Sequence, residues 1–343
     1  MRRILIIAPN WIGDAVMSQP LLANIKAAES DALIDVLATP WVAPVYRACA
    51  EVNAVIQADL QHGKLQWGLR RTLAKQIAKE HYSVCYVLPN SLKSALIPWL
   101  AGIPVRIGYR GELRSGLINR AKPNPSKTVR APMVEHYASL CATPQTAADD
   151  QTKPNALVPR LRVTESMRQA VDQKLADARI RSDALFVLCP GAEYGPSKRW
   201  PASHFAQLAN SILRANPKAQ VVLLGSAADH AIGQSIIESA DPNDRILNWC
   251  GDTSLDEAMA IISACAHLVT NDSGLMHIGA ALGVNQVALF GSSDPKHTPP
   301  ISPKARIIYL HLPCSPCHKR VCPLGHLHCL NQIHPQQVFT ALQ

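Results

Sequence analysis

Residues 267–291 read HLVTNDSGLMHIGAALGVNQVALFG. Leu268-Val269-Thr270 and Val287-Ala288-Leu289-Phe290 are short apolar runs with β-branched members, the pattern of parallel strands covered on both faces. Between them Asn271-Asp272-Ser273-Gly274 offers N-cap residue types directly before Leu275–Leu282, and Gly283 supplies the stop. The stretch is strand, polar turn, helix, strand. A helix that starts at the carboxyl edge of a parallel sheet presents free N–H groups and a partial positive charge, and α/β folds hold phosphorylated ligands there. Two readings of the turn follow. Asp272 and Ser273 cap the helix, or Asp272-Ser273-Gly274 cradles a phosphate. His277 lies one helical turn beyond Ser273 and can face the same mouth of the sheet.

The rest of the chain fits an α/β protein. Its 343 residues exceed one ordinary core and suit two domains. With 48% apolar and 17% charged residues the composition excludes a disordered or fibrous protein. No run approaches the ~20 apolar residues of a membrane span. The first strand candidate, Ile4–Ala8, is too short for a signal-peptide core, so the start reads as mature structure and the expected location is the cytosol. The formal charge of +9 calls for an acidic partner: nucleic acid, a nucleotide or anionic lipid headgroups. Lys and Arg are scattered, and only 5% of residues are aromatic, so a stacking platform for nucleic acid is not in view.

From the N-terminus, Arg3–Ala8 reads as a strand, Pro9-Asn10-Trp11-Ile12-Gly13-Asp14 as a polar turn, and Ala15–Ala28 as a helix that Pro20 should kink or begin. Asp14 caps that helix or turns its carboxylate to the strand ends beside Gly13. Ala32–Ala38 and Val84–Leu88 are further strands, with a helix around Leu69–Lys79 between them. Pro89-Asn90-Ser91-Leu92-Lys93-Ser94 repeats the polar turn after a strand. Arg106, Arg110, Arg114 and Arg120 follow, able either to meet an acidic acceptor or to solvate a surface. Periodicity lapses over Thr143–Pro159, which places the domain boundary there or just after and divides the chain into 1–163 and 164–343.

The second half opens with a helix over Glu165–Ala178 and a strand over Ala184–Cys189. A loop follows, Pro190-Gly191-Ala192-Glu193-Tyr194-Gly195-Pro196-Ser197-Lys198-Arg199-Trp200-Pro201, with Pro201 suited to the first position of the next helix. Cations at a helix start oppose its dipole, so Lys198 is a phosphate candidate as well as a charged loop residue. Val221–Ser226 is a strand and turn that includes Gly225, and Asp252–Glu257 opens a capped helix. Both halves are therefore βαβ sheets with polar loops at the strand ends, and a cleft between such sheets is the expected place for a two-substrate site. Neither GxxxxGK[ST] nor GxGxxG occurs, which disfavours P-loop hydrolysis and dinucleotide redox chemistry.

Six of the ten cysteines, Cys49, Cys85, Cys141, Cys189, Cys250 and Cys265, are scattered, several in apparent core elements, as reduced structural thiols are. Cys314, Cys317, Cys322 and Cys329 cluster in segment 314–329 with His318, His326 and His328. Their spacing resembles a metal site while fitting no standard zinc module, so bound zinc and paired or free thiols both stay open.

Four segments together, WIGDAVMSQPLL (11–22), YVLPNSLKSALIPWLAGIPVRIGYRGE (86–112), CPGAEYGPSKRWP (189–201) and TNDSGLMHIGAALG (270–283), resemble the ADP-heptose:lipopolysaccharide heptosyltransferases of glycosyltransferase family 9, in the branch that adds the second heptose. The match is in order and covers most of the chain. The resemblance implies a GT-B fold, two Rossmann-like domains facing a cleft, with the acceptor on the N-terminal domain and ADP-heptose on the C-terminal one. It implies metal-independent, inverting transfer of L-glycero-D-manno-heptose to the first heptose of the lipopolysaccharide inner core, with no cofactor. Asp14 would be the base and Lys198 would stabilise the departing ADP. Gly191, Glu193, Tyr194, Lys198, Gly225, Asp272, Ser273, Gly274 and His277 would meet the donor. Asn10, Trp11, Gly13, Asn90, Ser91, Lys93 and Arg110 would meet the acceptor, heptosyl-Kdo2-lipid A. The partners implied are those two substrates and the inner leaflet of the inner membrane, touched peripherally by a monomer. Two other classes remain in view: a nucleotide-sugar epimerase of the same two-domain fold, and a basic, zinc-bearing nucleic-acid binder.

Overall fold

The computed structural model describes residues 1–61, 63–125, 131–141, 157–242 and 244–343. Most of the aperiodic stretch at 143–159, where the linker was sought, lies outside the described residues. The chain divides into Met1–Arg162 and Val163–Gln343.

The first unit holds β1 (Arg3–Ile7), β2 (Leu33–Ala38), β3 (Val52–Gln57), β4 (Val84–Val87), β5 (Val105–Tyr109) and β6 (Arg120–Lys122), with helices α1 (Ile12–Ala28), α2 (Ala43–Arg47), α3 (Trp67–Ala78), α4 (Leu92–Leu100) and α5 (Met133–Ala138). The second holds β7 (Leu185–Cys189), β8 (Gln220–Leu223), β9 (Ile246–Asn248), β10 (His267–Asn271), β11 (Gln286–Phe290) and β12 (Ala305–Tyr309). Its helices are α6 (Glu165–Asp177), α7 (Ala202–Ala215), α8 (His230–Ser239), α9 (Leu255–Ala264), α10 (Gly274–Leu282), α11 (His328–Asn331) and α12 (Pro335–Leu342).

Strand order is β3-β2-β1-β4-β5-β6 in one sheet and β12-β11-β10-β7-β8-β9 in the other. Every recorded pairing is parallel. Counted from each unit's own first strand, the two orders are the same. In both, the winding direction reverses beside the first strand, between β1 and β4 and between β7 and β10, and ligands of open α/β sheets bind outside the carboxyl ends of such neighbours. The central strands have apolar middles because helices cover both faces: Leu5, Ile6, Leu185, Val187, Leu188, Leu268 and Val269 are all inaccessible to solvent. Each such side chain contributes roughly 1.5–3 kcal/mol by its burial.

Three local expectations are corrected. Helix α1 starts at Ile12, three residues before the start read from the sequence, and runs on through Pro20. Asp14 thus sits inside the first turn rather than capping it, a position its charge favours because it faces the helix dipole's positive end. Pro201 is the N-cap of α7 rather than its first residue. Arg106 and Arg114 neither solvate a surface nor wait for a ligand. Arg114 is 1% exposed and donates to the carbonyls of Tyr109, Pro89 and Ser91 and to Asn90 Oδ1, while Arg106 donates to the carbonyls of Leu117 and Ile103. A guanidinium with five fixed donors can tie several loop carbonyls at once, and Arg114 ties the turn after β4 to the end of β5. Arg110 and Arg120 are exposed.

Candidate functional site

In the first unit Asn10, Trp11, Gly13 and Asp14 follow β1, and Asn90, Ser91 and Lys93 follow β4, on the two sides of that sheet's reversal. Trp11 is exposed and is the N-cap of α1, with no side-chain capping bond. The Asn10 carbonyl accepts from Trp41 Nε1 at 2.9 Å. Asp14, half-buried, accepts from Tyr137 Oη at 3.0 Å. Tyr137 comes from α5, and burial, followed by the Asp14 charge, pushes its phenol well above its usual range, so it stays a proton donor. Asn90 is exposed but engaged by Arg114 Nη2 at 2.8 Å, and the Lys93 carbonyl accepts from Arg70 Nη1 at 2.8 Å. Arg110 follows β5, and the adjacent Gly111 packs on the turn after β4, where an added Cβ would stand 2.6 Å from Asn90 Oδ1.

The second unit repeats the plan with different side chains. The loop after β7 carries Lys198 and the turn after β10 carries Asp272, Ser273 and Gly274, again flanking the reversal. Asn271, fully buried, fastens the two together: its Nδ2 donates to the Pro190 carbonyl at 2.8 Å and its Oδ1 accepts from the Trp200 amide at 3.0 Å. The loop is thereby pinned at both ends. Lys198 Nζ meets Asp272 Oδ2 at 2.5 Å, and Ser293, after β11, donates to the same oxygen. Tyr194 lies 5.0 Å from Lys198 Nζ, ring centroid to nitrogen, and is itself held by a 2.9 Å bond from Oη to the His318 carbonyl. Glu193 is exposed.

The turn does not behave as a simple cap. Ser273 occupies the N-cap position of α10 without a side-chain capping bond, and its hydroxyl instead pairs with Thr270 Oγ1 at 3.2 Å. The Asp272 carboxylate is turned to Lys198 and Ser293. The first N–H groups of α10 are therefore not consumed by either candidate cap. His277 is 5% exposed, and its pKa is lowered to about 4, mainly by burial, with the Lys198 charge assisting and the Asp272 charge opposing. It is a neutral imidazole at pH 7. Gly191 and Gly225 have a structural reason to lack side chains: a Cβ on Gly191 would stand 2.3 Å from Asp229 Oδ2, and one on Gly225 would stand 2.9 Å from Asp229 Cβ. Asp229 in turn accepts from the Ser226 amide and hydroxyl.

The sequence reading missed Tyr137, Asn271 and Ser293. Asn271 stood in view as a turn residue, and Ser293 follows a strand in the same way as the residues that were chosen. Tyr137 carries no local signal, because its bond to Asp14 joins α5 to α1 across the fold.

A cationic ammonium beside an open helix N-terminus at the carboxyl ends of parallel strands is suited to a diphosphate, and a carboxylate that accepts from a phenol, after the first strand of the other sheet, is suited to taking a proton. The profile of glycosyltransferase family 9 (heptosyltransferase) matches residues 70–328. The chain belongs to glycosyltransferase family 9. This family-9 chain is 42% identical to lipopolysaccharide heptosyltransferase 2 of Salmonella typhimurium over 99% of its own length and 97% of the relative's. It is 41% identical to the Escherichia coli protein of the same name, over 99% and 97%. The solved E. coli ADP-heptose lps heptosyltransferase II superposes with a TM-score of 0.85 at 39% identity, covering 100% of this chain and 97% of that one. E. coli heptosyltransferase WaaC, solved with ADP, shares the fold at a TM-score of 0.72 and 18% identity, covering 99% and 100%. The fold class of this family-9 chain is α/β, GT-B.

Proposed function

We propose that the protein transfers L-glycero-D-manno-heptose from ADP-heptose, with inversion, to the first heptose of the lipopolysaccharide inner core carried on heptosyl-Kdo2-lipid A. The observation that carries the reading is the Lys198–Asp272 pair beside the uncapped N-terminus of α10. Near full-length identity to proteins named lipopolysaccharide heptosyltransferase 2 supports it.

In this reading Val163–Gln343 holds the donor. The diphosphate lies against the first N–H groups of α10 and the Lys198 ammonium, which Asp272 and Ser293 hold in place. As the bond from the anomeric carbon to the diphosphate lengthens, negative charge collects on ADP, and these fixed positive groups stabilise it without reorganising. Neutral His277 can exchange hydrogen bonds with phosphate or sugar without adding charge. Met1–Arg162 holds the acceptor, through the residues after β1 and β4. Asp14 accepts the proton of the attacking hydroxyl, and the neutral Tyr137 phenol orients the carboxylate without supplying a charge that would quench its basicity. The ammonium and helix dipole take the place of a divalent ion at the diphosphate.

No helix among the described residues is long and apolar enough to cross a membrane. The +9 charge suits an anionic glycolipid surface, so we place the protein in the cytoplasm, as a monomer peripheral to the inner leaflet. Product mass spectrometry with ADP-heptose and a mono-heptosylated acceptor tests the reading. The expected result is one added heptose per acceptor and one ADP, at a rate unchanged by added magnesium. Conversion of ADP-heptose to an epimeric ADP-sugar without acceptor, with no net ADP released, would instead indicate an epimerase acting on the donor alone.

A further inference from the structure

The cysteine segment 314–329 has no part in the proposed transfer, yet its side chains converge. Cys314, Cys317, Cys322 and Cys329 together line a cavity of about 20 Å³, room for one water-sized guest. All four are free thiols: Cys314 is exposed, Cys317 and Cys322 are half-buried and Cys329 is buried. The backbone N–H groups of Leu324, Gly325, His326 and Leu327 are turned on the Cys322 sulfur. Four sulfurs around one small cavity make a ligand set suited to a soft cation.

We propose that Cys314, Cys317, Cys322 and Cys329 bind one thiophilic divalent metal ion as a tetrahedral tetrathiolate site with a structural role. Four sulfurs select zinc or iron over magnesium or calcium, and four protein ligands leave no open position for catalysis. Binding releases four thiol protons and moves no electron, so the closed site carries a net charge of −2, with Lys319 and Arg320 between its ligands in sequence. Among the described residues no group of three His, Cys, Asp or Glu side chains is already gathered to hold an ion. The ion therefore draws the thiols inward, to the ~2.3 Å of a zinc–thiolate bond.

The site would act on its neighbour. Ser197 lines the same cavity, donates through Oγ to the Lys319 carbonyl, and its amide donates to the Arg320 carbonyl at 3.2 Å. Tyr194 Oη is bonded to the His318 carbonyl. The strip between Cys317 and Cys322 is thus the floor under the loop that carries Lys198, and fixing its ends fixes that loop.

The test is elemental analysis of the full chain, purified under reducing conditions without chelator, together with thiol titration. The expected result is close to one equivalent of zinc or iron per chain. The visible absorption of an iron tetrathiolate distinguishes the two ions. Cys322→Ser and Cys329→Ala should each lose most of the metal, while Cys141→Ser, in the other unit, should retain it. Should those two variants fail to fold, cobalt(II) reconstitution of the metal-stripped wild type still decides, by the intense absorption of tetrahedral thiolate coordination. Wild type that carries no metal and gives no such band with cobalt would overturn the proposal, as would a Cys314–Cys317 disulfide in the freshly purified protein.

Discussion

In two sheets of identical strand order Asp14 follows the first strand of its unit and Asp272 the fourth strand of its own, on opposite sides of the winding reversal, and the two are surrounded differently. Asp272 is 6% exposed and meets an ammonium and a hydroxyl. Asp14 is half-buried and meets a phenol that stays protonated. A carboxylate paired with lysine is committed as a counter-ion, and its use is to aim the lysine. In the proposed reading the phenol orients the Asp14 carboxylate toward the acceptor's proton. In the proposed transfer the turn after the first strand of one sheet serves the acceptor, and the turn after the fourth strand of the other serves the donor.

Asp14→Asn should break the contrast most severely. Removing a general base lowers kcat by about 10²–10⁴-fold, with folding unchanged, because the amide preserves shape and hydrogen bonding to Tyr137. Steady-state kinetics with saturating donor checks this, and a loss of less than tenfold would remove Asp14 from the base role.

The second effect belongs to the α10 side alone. The folded His277 pKa of about 4 lies below its ordinary 6.5, so the unfolded chain takes up a proton first as pH falls. The resulting stability is full above pH 6.5 and is lost as pH falls from 6.5 toward 4, by about 3 kcal/mol at ~1.36 kcal/mol per unit. Burial lowers His204 and His267 as well, which adds to the same slope. Denaturant unfolding across this range should show the decline, and His277→Gln should flatten part of it. Equal slopes for the two proteins would mean that His277 is protonated in the native state.

Lys198→Ala comes third. Loss of one charge-assisted contact to the diphosphate should cost about 1.5–3 kcal/mol in kcat/KM for ADP-heptose. Stability should also fall, since Asp272 is left buried beside Ser293 alone. Tyr137→Phe should have the smallest effect, about 0.5–1.5 kcal/mol in kcat with donor KM unchanged, because it removes one neutral hydrogen bond that orients Asp14. A donor KM effect there would place Tyr137 outside the acceptor side.

The strands β1, β2, β4, β7, β8, β10 and β11 were legible because burial on both faces demands continuous apolar runs, and the polar turns that end them carry the proposed site. The edge strands were not. β6 and β9 are three residues long, and β12 exposes Arg306 and Ile307, so none shows the buried-strand pattern. Helix α8 escaped for a related reason: only Gly233 and Ile236 are buried on it, too few to form an apolar stripe. Arginine was misread for lack of distance information, since RIGYRGELR looks equally basic whether Arg114 is solvated or wrapped in carbonyls. The strand order, which brings Lys198 to Asp272 and the turn after β1 beside that after β4, is a non-local property that periodicity does not encode.

The division of labour between the two aspartate turns is tested most directly by calorimetric ADP binding to Asp14→Asn and Lys198→Ala side by side. The account predicts a dissociation constant within about threefold of wild type for Asp14→Asn and one raised about 10- to 100-fold for Lys198→Ala, the equivalent of one lost charge-assisted contact. Equal weakening in both, or normal ADP affinity in Lys198→Ala, would contradict it.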